Sequence, residues 1–292
     1  MSTQAARREA EAHYARQAAL IALALRAVRR AFSLGEPVRA VPVLTVIQRE
    51  SARDGAHAAR RMLAAQEIDA RPAGTVQPDE VVAPAARRAR LIIADDFYDD
   101  LPGLERFAAT EVKDAARVSA GIEIAQRPGV GYVRMVNPPC CARCAILAGK
   151  FYKWNDGFLR HPLCQCIHIP ATENTADDLR MDPMRLFREG KIRGLSAADN
   201  EAIEAGADLN QVVNAKRDGL STTSLFRHKV TFTREGVTRH GLYGSKSRER
   251  FPGDGPMAAE ARQTRLTPES ILDIARDRDE AVRLLTKYGY IL

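Results

Sequence analysis

Outside one short stretch the sequence has no cysteine at all: its five fall between Cys140 and Cys166, in a chain of 292 residues. Tryptophan is nearly as scarce, with Trp154 alone, in the same stretch. No apolar run approaches the ~18 residues needed to cross a bilayer. The most apolar segment, Ala18 to Leu25, is flanked by Arg16 and Arg26, so no membrane partner is expected. The N-terminus lacks an apolar core followed by a small-residue cleavage site, so no secretion signal is expected. Also missing are G-x-S-x-G, a glycine-rich phosphate loop and H-E-x-x-H, the marks of common nucleophilic, nucleotide-binding and zinc-protease sites. These absences predict a soluble protein of a reducing compartment with no visible catalytic set.

The cysteines that are present have a spacing with chemical meaning. Cys141-Ala-Arg-Cys144 is a C-x2-C knuckle, and His161-Pro-Leu-Cys164-Gln-Cys166 offers a second group of donors. C-x2-C followed by H-x2-C makes a Cys3His tetrahedron, a closed set suited to structural zinc, and thiolate softness favours zinc over magnesium or calcium. Cys141, Cys144, His161 and Cys164 are the first choice of ligands. Cys166 competes for the fourth place, and Cys140 can substitute for Cys141. His168, in an apparent strand, is a packed residue or a partner of the ligands. An odd count of five argues against a disulfide framework. A deaminase reading of Pro139-Cys140 fails because Arg143 stands where its second cysteine belongs and no H-x-E precedes it. A haem motif fails because Ala145, not histidine, follows Cys144.

Along the chain, Tyr14, Ala18, Ile21, Leu25, Val28 and Phe32 recur at spacings of four and three, which predicts a helix over 3–33. Its stripe is read first as a core face and second as an oligomer seam. A second helical pattern runs from Pro42 to about Gln66, with Leu44, Ile47, Met62 and Leu63 apolar. A third covers Asp79 to Phe97, ending among Asp95, Asp96, Asp99 and Asp100. A fourth covers Leu104 to Gln126. Short strands are expected at Gly131–Val136, Phe151–Trp154 and Ile167–Ile169, flanking the metal. Ser196 is the expected cap of one later helix, and Thr267 with Pro268 of another; a last helix runs from Arg278 to Lys287. Between Lys216 and Arg265 there are eleven Lys or Arg against five Asp or Glu. This glycine-containing stretch reads as a basic, extended arm with a hairpin around Val230–Thr238. Such an arm either neutralises phosphates without reading sequence or docks on an acidic neighbour. No base-reading module is visible.

Several of these pieces occur together in one order. Asp114-Ala-Ala-Arg117, GYVRM, CARCAILAGKFYKWNDGFLRHPLCQC and IHIP are followed by GADLNQVVNAKR, by Thr233-Arg-Glu-Gly-Val-Thr-Arg-His-Gly-Leu242 and by LTPESILDIA…DEAVRLLTKYGYI. In that order they resemble the MuF-like minor head (minor capsid) proteins of tailed phages and prophages of actinobacteria, found beside the portal gene. The family's C-x2-C and H-P-x-C-x-C elements match Cys141, Cys144, His161, Cys164 and Cys166; Cys140 is an addition to that pattern. The resemblance implies a virion structural protein of few copies in the head interior or at the portal vertex, present in the bacterial host cytoplasm during assembly. Its implied partners are portal and major capsid or scaffold proteins, with non-specific DNA contact through 216–266. Similar proteins are often labelled capsid maturation protease, an activity for which no residue set is visible here.

The expected fold is α+β and predominantly helical, with long N-terminal helices, a small zinc-stapled β region in the middle, a basic arm and C-terminal helices. The expected regions are 1–103, N-terminal and helical; 104–172, a MuF-like core with the Cys/His knuckle; 173–266, helical then a basic arm; and 267–292, C-terminal and helical.

Overall fold

A computed structural model of the chain describes residues 2–73, 92–93, 96–97, 99–156, 164, 166–217, 220–225, 228–237, 243 and 265–291. The described residues are α+β and predominantly helical, with the longest helices at the N-terminus and a cysteine cluster in the middle. In chain order they form α1 (Ser2–Ser33), α2 (Val41–Ala65), α3 (Leu101–Ala125), β1 (Gly131–Met135), β2 (Cys140–Cys141), α4 (Ala142–Leu147), β3 (Phe151–Tyr152), β4 (Ile167–Ala171) and α5 (Glu173–Ala176). Then follow α6 (Pro183–Arg188), β5 (Ile192–Arg193), α7 (Ala197–Glu204), α8 (Leu209–Ala215), β6 (Ser221–Leu225), β7 (His228–Thr233), β8 (Arg265–Leu266), α9 (Pro268–Ile274) and α10 (Arg278–Lys287). They divide into two compact units, Met1–Asn137 with Leu147–Asp182, and Pro138–Ile146 with Pro183–Leu292.

In the first unit α1, α2 and α3 pack together, and an antiparallel sheet of order β3-β1-β4 lies against them. The boundary expected at 103–104 falls inside α3, because α3 shares one core with α1 and α2. The face that α1 buries differs from the expected stripe. Ala6, Ala10, Ala24, Val28 and Ala31 are buried together with the polar His13 and Gln17. Of the expected set, Val28 is buried, Tyr14, Ile21, Leu25 and Phe32 are half-buried, and Ala18 is exposed. The physical reason is size: alanine lets helix axes approach closely, so a seam of small residues wins over a row of larger ones that line its flank. Leu44, Ile47, Met62 and Leu63 of α2 are buried as their spacing predicts.

The same close approach appears at Gly55 of α2, where an added Cβ would stand 2.2 Å from the carbonyl oxygen of Ala116 on α3. Beside it the polar part of the seam is closed by Asp54. Its carboxylate accepts hydrogen bonds from His13 Nδ1 at 2.6 Å, Arg16 Nε at 2.6 Å and Gln17 Nε2 at 3.0 Å. Burial works to raise this carboxyl, but the hydrogen bonds from His13, Gln17 and Arg16 and the nearby imidazole charge outweigh it and hold it well below the usual range.

The second unit contains the parallel pair β2-β5 and the antiparallel sheet β6-β7-β8. β6 pairs antiparallel with β7, Leu225 standing opposite His228, so this pairing lies N-terminal to the centre of the hairpin expected around Val230–Thr238. Glu235 and Gly236 instead form a turn after β7, and the far end of β7 pairs with β8. Most of 238–264, the heart of the expected basic arm, lies outside the described residues, as does most of the helical pattern expected over Asp79 to Phe97. Ser196 caps α7 in a reciprocal box with Asp199, and Thr267 caps α9 with Pro268 in its first turn, both at the positions expected. Of the four clustered aspartates, Asp100 caps α3 by accepting from Gly103 N at 2.8 Å.

The fully buried Arg265 holds this unit's C-terminal end. Its guanidinium donates to the carbonyls of Tyr288 (2.9 Å), Glu235 (2.9 Å) and Gly289 (3.2 Å) and to Gln211 Oε1 (3.1 Å), and lies 4.2 Å from the centre of the Tyr290 ring. The Tyr290 hydroxyl in turn donates to the Leu266 carbonyl at 2.9 Å. Burial pushes the Tyr290 phenol well above its usual value, so the hydroxyl stays a donor.

Two outcomes follow from the first unit. Gly55→Ala is expected to destabilise the protein by about 1–3 kcal/mol in chemical denaturation, although alanine is the better helix former. Asp54→Asn is expected to cost about 2 kcal/mol at neutral pH. Because the folded carboxyl is depressed, its contribution is fully present above the unfolded value of about 3.9 and is lost as pH falls below it. Melting curves of wild type and Asp54→Asn should therefore converge as pH is lowered below about 4.

Candidate metal centre

β1 is the middle strand of its sheet, and its segment GYVRM buries four of five residues, including the arginine. Arg134 is 1% exposed. Its backbone is pinned by Arg134 N donating to the Lys150 carbonyl at 3.1 Å and by Gly149 N donating to the Arg134 carbonyl at 2.8 Å. Across the ladder Arg134 stands opposite His168 of β4. Cys166 directly precedes β4, and Cys164 lies two residues earlier. The backbone of both is held by Arg117 of α3, a buried side chain whose Nε donates to the Cys166 carbonyl at 3.0 Å and whose Nη2 donates to the Cys164 carbonyl. Arg117 Nη1 is met by Asp114 at 2.9 Å. This is the physical content of the Asp114-Ala-Ala-Arg117 element: one turn of helix delivers a guanidinium already paired with its acid to the chain that carries two thiols.

The C-x2-C element is built differently. Cys141 ends β2, and Cys144 lies in the first turn of α4, where its N–H donates to Cys141 Sγ at 3.3 Å. The sulfur stands where a Ser or Asp oxygen would cap a helix.

The Sγ atoms of Cys144, Cys164 and Cys166 lie within 4.8 Å of one another, and all three residues are buried. Three converging buried sulfurs fit a metal ion: soft donors, excluded from water, close enough to share one centre. No disulfide joins any of the five cysteines. The trio includes Cys166, expected as the competitor for the fourth place; the Cys141 sulfur accepts from Cys144 N–H. His161 lies outside the described residues. Cys140 is buried in β2, paired with Ile192 of β5, and is not part of the trio. His168 packs on the Tyr132 ring, with centroids 4.1 Å apart, and also stands outside the trio. A sequence signal for Cys166 existed: residues two apart in extended chain face the same side, so Cys164 and Cys166 are natural partners.

Sequence reasoning missed the cations around the sulfurs. Arg134 Nη2 lies 3.1 Å from Cys166 Sγ and 3.9 Å from Cys164 Sγ. Lys113, one turn before Arg117, is lowered chiefly by burial and then by the Arg117 charge, against the opposing pull of Cys164, Asp114 and Cys166. An arginine inside an otherwise apolar strand was the available signal, since a buried guanidinium demands acceptors.

A serine–lysine contact also occurs among the described residues, with Lys216 Nζ 3.3 Å from Ser196 Oγ. Lys216 donates to Asp199 Oδ2 at 2.6 Å and is paired with Glu269 as well. Burial tends to lower this lysine, but hydrogen bonds to Asp199 and Glu269 raise it above its ordinary value. A lysine that activates serine must be neutral, whereas this one is held as a cation and Ser196 Oγ caps α7. The contact is a clamp between α7 and α9.

Elemental analysis of protein purified under reducing, chelator-free conditions is expected to find bound metal near one per chain. Cys164→Ser and Cys166→Ser should each bring it below about 0.2 per chain, while Cys140→Ser leaves it unchanged.

No family model, no curated protein and no solved structure matches this chain.

Proposed function

We propose that this chain is a minor structural protein of a tailed-phage head, acting at the portal or head interior during capsid assembly, DNA packaging or ejection, with zinc as the ion of its thiol cluster. The observation that carries the reading is the buried trio of Cys144, Cys164 and Cys166, set within the ordered motifs that resemble the MuF-like group. Sulfur donors favour zinc over the hard cations, and burial suits a structural ion. The chain's expected partners are portal, capsid or scaffold proteins.

Protease activity is the weaker reading. The serine–lysine contact available to it has its lysine charged and its serine engaged in a helix cap. A DNA-contacting role is favoured by one specific feature, the eleven basic against five acidic residues between Lys216 and Arg265, and it is compatible with a head-interior location. It predicts salt-sensitive, sequence-independent binding that is lost when 216–266 is removed.

Peptide mass spectrometry on purified particles separates these readings. Peptides spanning the whole chain in mature, DNA-filled heads are the expected result for a retained structural part, and retention that tracks DNA content would point to the basic segment. Presence in precursor heads but absence from mature ones would overturn the structural reading in favour of a protease or scaffold-like role.

A further inference from the structure

We infer that Arg134 is the counter-ion of the metal centre, its Nη2 facing the sulfurs of Cys164 and Cys166 and its charge balancing the charge they carry when metal is bound. The inference rests on the zinc reading above and adds a residue that is not itself a ligand.

Three observations carry it. The guanidinium is 1% exposed, so its charge is met by protein groups and not by bulk water. Its Nη2 is 3.1 Å from one sulfur and 3.9 Å from the other, within reach of N–H···S hydrogen bonds. Its strand is rigidly placed, with β3 and β4 on either side and the backbone of Arg134 itself bonded to Gly149 and Lys150. Guanidinium does not lose its proton in proteins, and a buried ion without a counter-charge is strongly destabilising. Three thiolates around a divalent ion carry one net negative charge, and Arg134 brings a positive charge to within 3.1 Å of one of those sulfurs. Arg117 does not fill this role, because its charge is met by Asp114 and its other donors hold the carbonyls of Cys164 and Cys166. The two arginines divide the work: Arg117 positions the backbone of the ligand segment, and Arg134 faces the sulfurs. Groups that hydrogen-bond metal ligands raise metal affinity and slow its loss, so Arg134 is expected to govern how long zinc stays.

The test is zinc release from the full-length protein to a chromophoric chelator, followed for wild type, Arg134→Lys and Arg134→Gln, with folding checked by circular dichroism. Arg134→Gln is expected to release zinc about 10–100-fold faster. Arg134→Lys, which keeps the charge but shortens the reach of the donor that meets both sulfurs, should fall between it and wild type. Wild-type rates in both variants, or equal acceleration by Lys and Gln, would overturn the inference. Should Arg134→Gln not fold, Arg134→Lys decides alone: faster release supports the role and an unchanged rate removes it. A measurement without mutation stands beside these. X-ray absorption at the zinc edge of the wild type is expected to count three sulfurs, and four would overturn the ligand trio on which the inference stands. A wild type that binds no zinc would sink the zinc reading and this inference together, whereas zinc-loaded wild type with unaffected variants sinks this inference alone.

Discussion

A guanidinium keeps its proton wherever the chain puts it, so each buried arginine dictates what must surround it. Arg134 and Arg265 are among the largest fully buried side chains of this protein, and Arg117 is nearly as enclosed. Each is met in a different way. Arg265 is surrounded by carbonyls, an amide oxygen and the face of a tyrosine; Arg117 by two carbonyls and one aspartate; Arg134 by two sulfurs. These are expensive arrangements unless the charge is compensated, and they fix the geometry around them. The C-terminal residues, the approach to β4 and the thiol-bearing segment are each held by one such side chain.

Elsewhere the first unit relies on small residues more than on large apolar ones. Alanines along α1 and Gly55 on α2 permit close helix contact, and the space left between helices is closed by a hydrogen-bonded group centred on Asp54. Such a seam specifies register sharply, because a shift would strand Asp54, His13 and Gln17 without partners. It therefore gives the sheet carrying β1 and β4 a firm base, which the cysteines before β4 inherit.

The polar clusters of the two units look alike on paper and differ in chemistry. Lys216, Asp199, Glu269 and Ser196 form a charge-balanced clamp whose lysine is stabilised as a cation, which suits holding helices together and does not suit activating a nucleophile. Around Cys164 and Cys166 the acceptors are sulfurs, with the Arg134 guanidinium beside them, a setting that suits a metal ion. That contrast underlies the preference for a structural over a proteolytic reading.

Local chemistry was legible in the residue order. The long N-terminal helices, the caps at Ser196 and Thr267, the short strands about the knuckle and the grouping of three cysteines all follow from spacing and side-chain type over a few residues. Three things were decided only by the tertiary structure. Which side of α1 is buried depended on how closely its neighbours approach, and hydrophobic periodicity undervalues alanine. The strand that β7 pairs with was set by the match of β6 to it, ahead of the hairpin expected around Val230–Thr238. The composition of the thiol trio, with Cys166 inside and Cys141 outside, and the placing of Arg134 and Arg117 against it, depended on β1, α3 and the approach to β4 meeting in space. Sequence spacing names the donors a segment can offer, but only packing decides which of them converge and what charge stands beside them.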